Sequence, residues 1–502
     1  MENHELQQAV QYLNSQDLKT VQYIRAMSII NTDGETVAPR ESYRSRGDVM
    51  EQLAGLLYDL FADERGYEAA KTVLASTQVT EEERRLAEMR RDSYEEMTRL
   101  PKEEVMAYQK LLSDAAVVWR EAKRNNDFPR FAPYLEKIVD TCRRFALLKH
   151  PEKDPYDTLL DEYEKGMTQS VLDPFFALLR EKLTPLVRAV AACPKPDDTF
   201  LKGKTFPLEG QKKLSAWLME VMGINKDRCV LLESEHPFTS GSSIWDTRIT
   251  THYYETDVMS SVYSVIHEGG HALYELGISE SLANSTLGNT PFLGIHESQS
   301  RFYENILGRS EEFVSLLHGK MKELFPQQMA EVTPEMMYRA VNRVEPGLIR
   351  IEADELTYAM HIMVRYELEK ELIGGTLKVA DLPRRWNEMY REYLGVEVPG
   401  DDRGVLQDIH WSGGSIGYFP TYALGSAYGA QMRCAMEGQV DVKEALRQGD
   451  LSPVTAWLRE RIHQYGALRL PERLLRDAVG APFDPAYFVD YLTKKFSAIY
   501  GL

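Results

Sequence analysis

Residues Ser264 to Glu275 contain His267-Glu268-Gly269-Gly270-His271, a spacing that acquires chemical meaning only on an α-helix. Positions i and i+4 share a helix face, so both imidazoles can aim a nitrogen at one cation. Glu268 is offset around the helix and can lean over the attacking water as a general base without ligating the metal. Glycine within a helix costs about 1 kcal/mol relative to alanine. The adjacent Gly269 and Gly270 therefore imply close backbone approach or tight packing. With 11 histidines in the chain, such a pattern can also arise by accident, and the downstream sequence has to decide.

A hydrolytic zinc site needs a third protein ligand and one position left for water. The stretch Gly294 to Asn305 reads as the start of another helix, entered from the turn-rich Gly288-Asn289-Thr290-Pro291. Two antiparallel helices with a connection of about 20 residues can bring facing turns together around an ion. Glu297 completes a His-His-Glu set. His296 and Glu304 compete with it, and either also reads as a solvated or hydrogen-bonded helix residue. A carboxylate partly offsets the charge of zinc, which favours Glu297.

The formal net charge is -18, with Lys and Arg dispersed among the acids. That distribution argues against nucleic acid and anionic membrane as partners. No apolar run reaches the length of a membrane span, and the start Met-Glu-Asn-His-Glu lacks a secretory pattern, so a cytoplasmic enzyme is expected. Cys142, Cys193, Cys229 and Cys434 are scattered and read as buried thiols rather than disulfides or zinc ligands.

Apolar positions at three- and four-residue spacing predict helices over 3–30, 48–75, 80–98, 101–125 and 130–149. Prolines at 151–155 and 194–198 predict breaks, the second a candidate hinge between lobes. Cys229 to Leu232 and Ile244 to Tyr254, rich in β-branched and aromatic residues, predict a small strand-containing element just before the metal helix. Its exposed edge could accept an extended peptide. Helices resume at about 256 and continue, with a turn-rich interruption at 399–421, to the C-terminus. No internal repeat is visible.

Six blocks then appear in order: His236-Pro237-Phe238; Asp246-Thr247-Arg248-Ile249-Thr250; His267-Glu268-Gly269-Gly270-His271; His296-Glu297-Ser298-Gln299; Ile349-Arg350-Ile351-Glu352-Ala353-Asp354; and Gly404-Val405-Leu406-Gln407-Asp408-Ile409-His410-Trp411. Together they resemble the signature of the M32 metallocarboxypeptidases, the thermostable-carboxypeptidase family. The resemblance implies a mainly α, two-lobed peptidase with a deep central cleft and a small β-sheet element, similar to neurolysin and angiotensin-converting enzyme. It further implies one peptidase domain over 1–502, with the metal and catalytic motifs within 236–422. Single residues would be released from peptides with a free C-terminus, using Zn2+ (Co2+ or Mn2+ being possible), by a homodimer. Carried over by position, His267, His271 and Glu297 hold the metal and Glu268 is the base.

Such an enzyme needs a cation for the substrate carboxylate, and arginine's planar fork suits that task. Arg350 comes first and Arg248 second, with His236 and Tyr418 completing the substrate-binding candidates. Either arginine also reads as an ordinary ion pair, Arg350 with Glu352 or Asp354 and Arg248 with Asp246. Donors for the developing oxyanion are expected from His410 and Tyr422, on or beside a Gly-rich aromatic loop able to close over substrate. Tyr418 is the rival of Tyr422, and the alternative is that these aromatics only pack the loop. Two other functions remain open: an endo-acting oligopeptidase built on the same site, and a non-catalytic zinc-stabilised scaffold.

Overall fold

The computed structural model describes residues 2–502, and helices dominate it. The periodic N-terminal segments form helices Glu2–Thr36, Tyr43–Phe61, Glu64–Ala75, Glu81–Arg99, Lys102–Asn125 and Phe128–Lys149. The predicted 48–75 helix is thus two. Asp63 divides it, because its carboxylate accepts from the Gly66 N–H and caps the second helix. Thr80 and Glu83 form a reciprocal capping box at the next start. Proline is a less strict stop than expected: the chain breaks around 151–155 and 194–198, yet Pro133, Pro174 and Pro185 lie inside helices. Among the described residues, no helix is long and apolar enough to cross a membrane.

The small sheet comprises β1 (Cys229–Glu233), β2 (Thr239–Ser243) and β3 (Asp246–Thr251), in spatial order β1-β3-β2. β1 runs parallel to β3, with Val230 opposite Arg248, and β2 runs antiparallel to β3, with Thr239 opposite Ile249. β2, Thr-Ser-Gly-Ser-Ser, escapes a reading based on apolar pattern because it has no apolar residue. Its pairing with β3 and its packing between two helices make it a strand.

The main core extends from Ala115 to Ile499 and includes both Val190 and Phe200, on either side of the 194–198 break. A smaller cluster joins Leu13, Ala70, Val73 and Ala87 to Ile278, Leu282 and Leu287, docking the N-terminal helices on the connection that follows the motif helix. That motif helix, Val258–Gly277, is capped by Asp257 and lies deep in the main core. Cys142 and Cys229 are buried as expected, whereas Cys193 is half-buried and Cys434 exposed; all four are free thiols.

Candidate active site

The motif helix and helix Leu293–Arg301 run antiparallel: Glu275 meets His296, His271 meets Glu297, and His267 meets Glu304. Their close approach depends on Gly270, where a Cβ would lie 2.7 Å from the Gln299 carbonyl oxygen and 2.8 Å from Ser300 Cα. Gly269 serves the opposite flank against Met222 and Ile224. A third helix, Pro420–Met436, brings Gly425 so near that a Cβ would sit 2.7 Å from Glu297 Cγ.

At this junction ligand atoms of His267, His271 and Glu297 all fall within 4.8 Å of one another. Glu297 Oε2 is 3.8 Å from His267 Nε2 and 3.5 Å from His271 Nε2. The far side of each ring explains why these nitrogens are available. His267 Nδ1 is 2.8 Å from Glu304 Oε2. His271 Nδ1 is 2.5 Å from His296 Nδ1, and His296 Nε2 is 3.0 Å from Glu275 Oε1. A neutral His296 donates through Nε2 to that carboxylate and accepts at Nδ1 from His271, leaving His271 Nε2 a free lone pair. The donor set, two imidazole nitrogens and a carboxylate, therefore fits a divalent cation. His296 and Glu304, the two rival ligands, instead orient the histidines.

Electrostatics follow from burial and charge. Burial depresses the His267 pKa, but Glu297 and Glu304 outweigh it and hold the value at about 9 without a metal. Burial pushes His271 down. Burial raises the Glu297 carboxyl, yet Arg301, His267 and His271 win and keep it ionised. Arg301, absent from the sequence reading, donates through Nε to Glu297 (2.7 Å) and through Nη1 to Glu304 (3.2 Å). A signal was present: 297, 301 and 304 are spaced i, i+4, i+7. Thr239 was also missed. From β2 its hydroxyl donates to Glu268 Oε2 at 2.6 Å, fixing the carboxylate beside the ligands.

The other candidates form a second cluster. Arg350 is 5% exposed; Nε and Nη2 donate to Asp408 Oδ1 (3.0 and 2.8 Å) and Nη1 to the Tyr358 hydroxyl (3.0 Å). Its ion-pair partner is therefore Asp408, neither Glu352 nor Asp354. Asp408 also accepts from the fully buried Arg365, so one carboxylate serves two guanidinium groups. The Arg350 guanidinium lies 5.0 Å from the centre of the Tyr422 ring, and His410 Nε2 is 3.4 Å from the Tyr422 hydroxyl. Tyr418 packs edge-on to Tyr422. Burial, with Arg350 and Arg365 opposing Asp408, draws the His410 pKa down to about 4. Tyr358 joins the clusters, since Arg301 stacks 4.2 Å over its ring.

Arg248 and His236 stand apart. Both Nε and Nη2 of Arg248 donate to Asp246 at 3.0 Å. Alternation along the strands puts Thr239 and Ile249 toward the motif helix and Arg248, with its neighbour Ser240, on the opposite face, where Ser240 meets Ser28 and Thr32. His236 is exposed between β1 and β2, its carbonyl accepting from Ser234 Oγ at 2.6 Å.

Comparison with known proteins agrees with this geometry. The family model for carboxypeptidase Taq (M32) metallopeptidases matches residues 13–496. Carboxypeptidase 1 of Bacillus subtilis (strain 168) is 38% identical over 482 residues, covering 96% of each chain. Thermostable carboxypeptidase 1 of Pyrococcus furiosus is 36% identical, covering 94% of this chain and 95% of its own. The crystal structure of M32 carboxypeptidase from Deinococcus radiodurans R1 superposes with a TM-score of 0.95 at 34% identity, over 99% of this chain and 100% of that one.

Proposed function

The chain belongs to the carboxypeptidase Taq (M32) family of metallopeptidases and is a metallocarboxypeptidase, and on that premise we propose which residues carry the reaction. His267, His271 and Glu297 hold the divalent ion, with zinc as the ion that two imidazoles and a carboxylate suit best and cobalt or manganese as substitutes. When bound, such an ion supplies Lewis acidity, lowering the pKa of water and polarising a carbonyl. The convergence of those three ligands beside Glu268 is the observation that carries this reading.

Glu268, oriented by Thr239, takes the proton of the attacking water and returns it to the nitrogen of the leaving residue. As negative charge grows on the scissile carbonyl oxygen, the Tyr422 hydroxyl and a neutral His410 donate to it. The ring nitrogen of His410 on the side of Tyr422 is Nε2, 3.4 Å from the Tyr422 hydroxyl. Tyr418 lines the same space. Arg350 takes the substrate's terminal carboxylate, since its guanidinium lies beside the Tyr422 ring and arginine's planar fork suits a carboxylate. Arg248, already engaged by Asp246, and His236 are assigned to outer parts of the substrate.

The segment 194–198, between helices Gln169–Ala191 and Thr199–Lys202, is proposed as the joint between two lobes of one peptidase domain. A homodimer is proposed on the family resemblance. A cytoplasmic location is supported by the free and exposed thiol of Cys434, which persists in a reducing compartment. The decisive experiment is mass analysis of a short unblocked peptide incubated with the enzyme. A ladder shortened by one C-terminal residue at a time is expected, abolished by chelator and absent for the C-terminally amidated peptide. Internal cleavage of the amidated peptide would make it an endopeptidase instead. E268Q should keep its metal and lose between about a hundredfold and ten-thousandfold in kcat.

A further inference from the structure

The loop that carries His410 and leads through Tyr418 to Tyr422 is held from beneath by a carboxylate to which the reaction above assigns no part. Glu369, on helix Glu355–Ile373, is fully buried. Its Oε1 accepts from Trp411 Nε1 at 2.7 Å; its Oε2 accepts from the Gly417 N–H and from the Tyr156 hydroxyl, each at 2.9 Å. The two loop donors are the immediate neighbours of His410 and Tyr418, so these bonds fix both ends of the segment that forms the cluster's wall. Gly417 adopts φ 93°, and a Cβ there would lie 2.8 Å from the Leu159 carbonyl oxygen. The loop is thus clamped between helix Pro155–Tyr163 and Glu369, where the sequence suggested a mobile lid.

We propose that Glu369 is a positioning residue for hydrolysis: it sets the loop so that the His410 and Tyr422 donors meet the developing oxyanion. The inference rests on the role given above to Tyr422. Three donors converge on two oxygens, and a carboxylate alone accepts them all. An amide of the same shape would turn an N–H against the N–H of Trp411 or of Gly417.

The test is therefore the cycle of E369Q, Y422F and the double variant, assayed with the metal-loaded full chain. E369Q is expected to keep metal content and KM within about twofold of the parent while kcat falls about tenfold or more, as misplacement of a catalytic group does. E369Q should slow Y422F by clearly less than it slows the parent, because the two changes share the Tyr422 donor while His410 remains for the loop to place. A slow Y422F beside an E369Q of parental kcat, or losses that multiply in the double variant, would overturn the role of Glu369. A parental rate for Y422F would instead sink the assignment of Tyr422, and this inference with it. Should E369Q not accumulate as folded protein, W411F removes one donor while sparing the carboxylate and is read by the same cycle.

Discussion

His267 and His271 present Nε2 inward because Glu304 and His296 occupy their Nδ1 atoms. Such outer partners set tautomer and ring orientation, and their loss weakens metal binding by about ten- to a hundredfold. E304Q should show a loss of that size in competition with a chromogenic chelator; an unchanged affinity would mean that the ring is fixed by other contacts. A second residue-scale consequence concerns pH. His463 is fully buried, with Nε2 2.9 Å from Gln299 Oε1 and Nδ1 without a partner. Burial, with Arg459 and His296 adding to it, draws its pKa down to about 3. Because the folded value lies below that of the unfolded chain, the neutral ring's contribution is complete above about pH 6.5 and is lost as pH falls toward the folded value, at up to about 1.4 kcal/mol per pH unit. Replacing it with glutamine, which cannot take up that proton, should flatten the fall of the apparent thermal midpoint between about pH 6 and pH 4. Parallel profiles for parent and H463Q would refute this account.

At the scale of elements, the site is made by helices brought closer than side chains normally allow. Helix Leu293–Arg301 continues into a π-helical turn, Phe302–Leu307, which carries Glu304 round to His267. Its N-terminus is set by Glu164, a buried carboxylate that accepts the Gly294 N–H at 2.8 Å and comes close only because Gly294 lacks a Cβ. Burial raises that carboxyl to about 8, against the backbone donors. Gly270 is the constraint on the other helix that cannot yield by a side-chain shift, since the atoms a Cβ would strike are backbone. G270A should therefore cost about 1–3 kcal/mol, as overpacking does, seen as a lower thermal midpoint together with weaker metal binding. Loss of stability with intact metal affinity would show that the helices separate without disturbing the ligands.

At the scale of the whole molecule, a divalent ion held by His267, His271 and Glu297 would tie together two helices of the main core and so link folding to metal binding. Saturation at about a hundred times the dissociation constant adds about 2.7 kcal/mol to stability. Chelation should lower the apparent thermal midpoint and abolish peptidase activity, and readdition of the ion should restore both. An unchanged midpoint would mean that the ion contributes to chemistry alone. The features legible beforehand are those governed by neighbours along the chain: helical periodicity, and an i, i+4 histidine pair with a carboxylate between. These follow from the 3.6-residue turn and needed no knowledge of packing. For the third ligand, local reasoning left His296 and Glu304 as rivals but favoured Glu297 for its charge, and the resemblance agreed. What folding alone decided are the partners across elements: Thr239 for Glu268, Asp408 for Arg350, Glu369 for the loop, and a strand with no apolar residue. Local pattern has no purchase on these, because which donor meets which carboxylate depends on how close two backbones can come, and glycines at Gly270 and Gly425 set that distance only once the helices are packed.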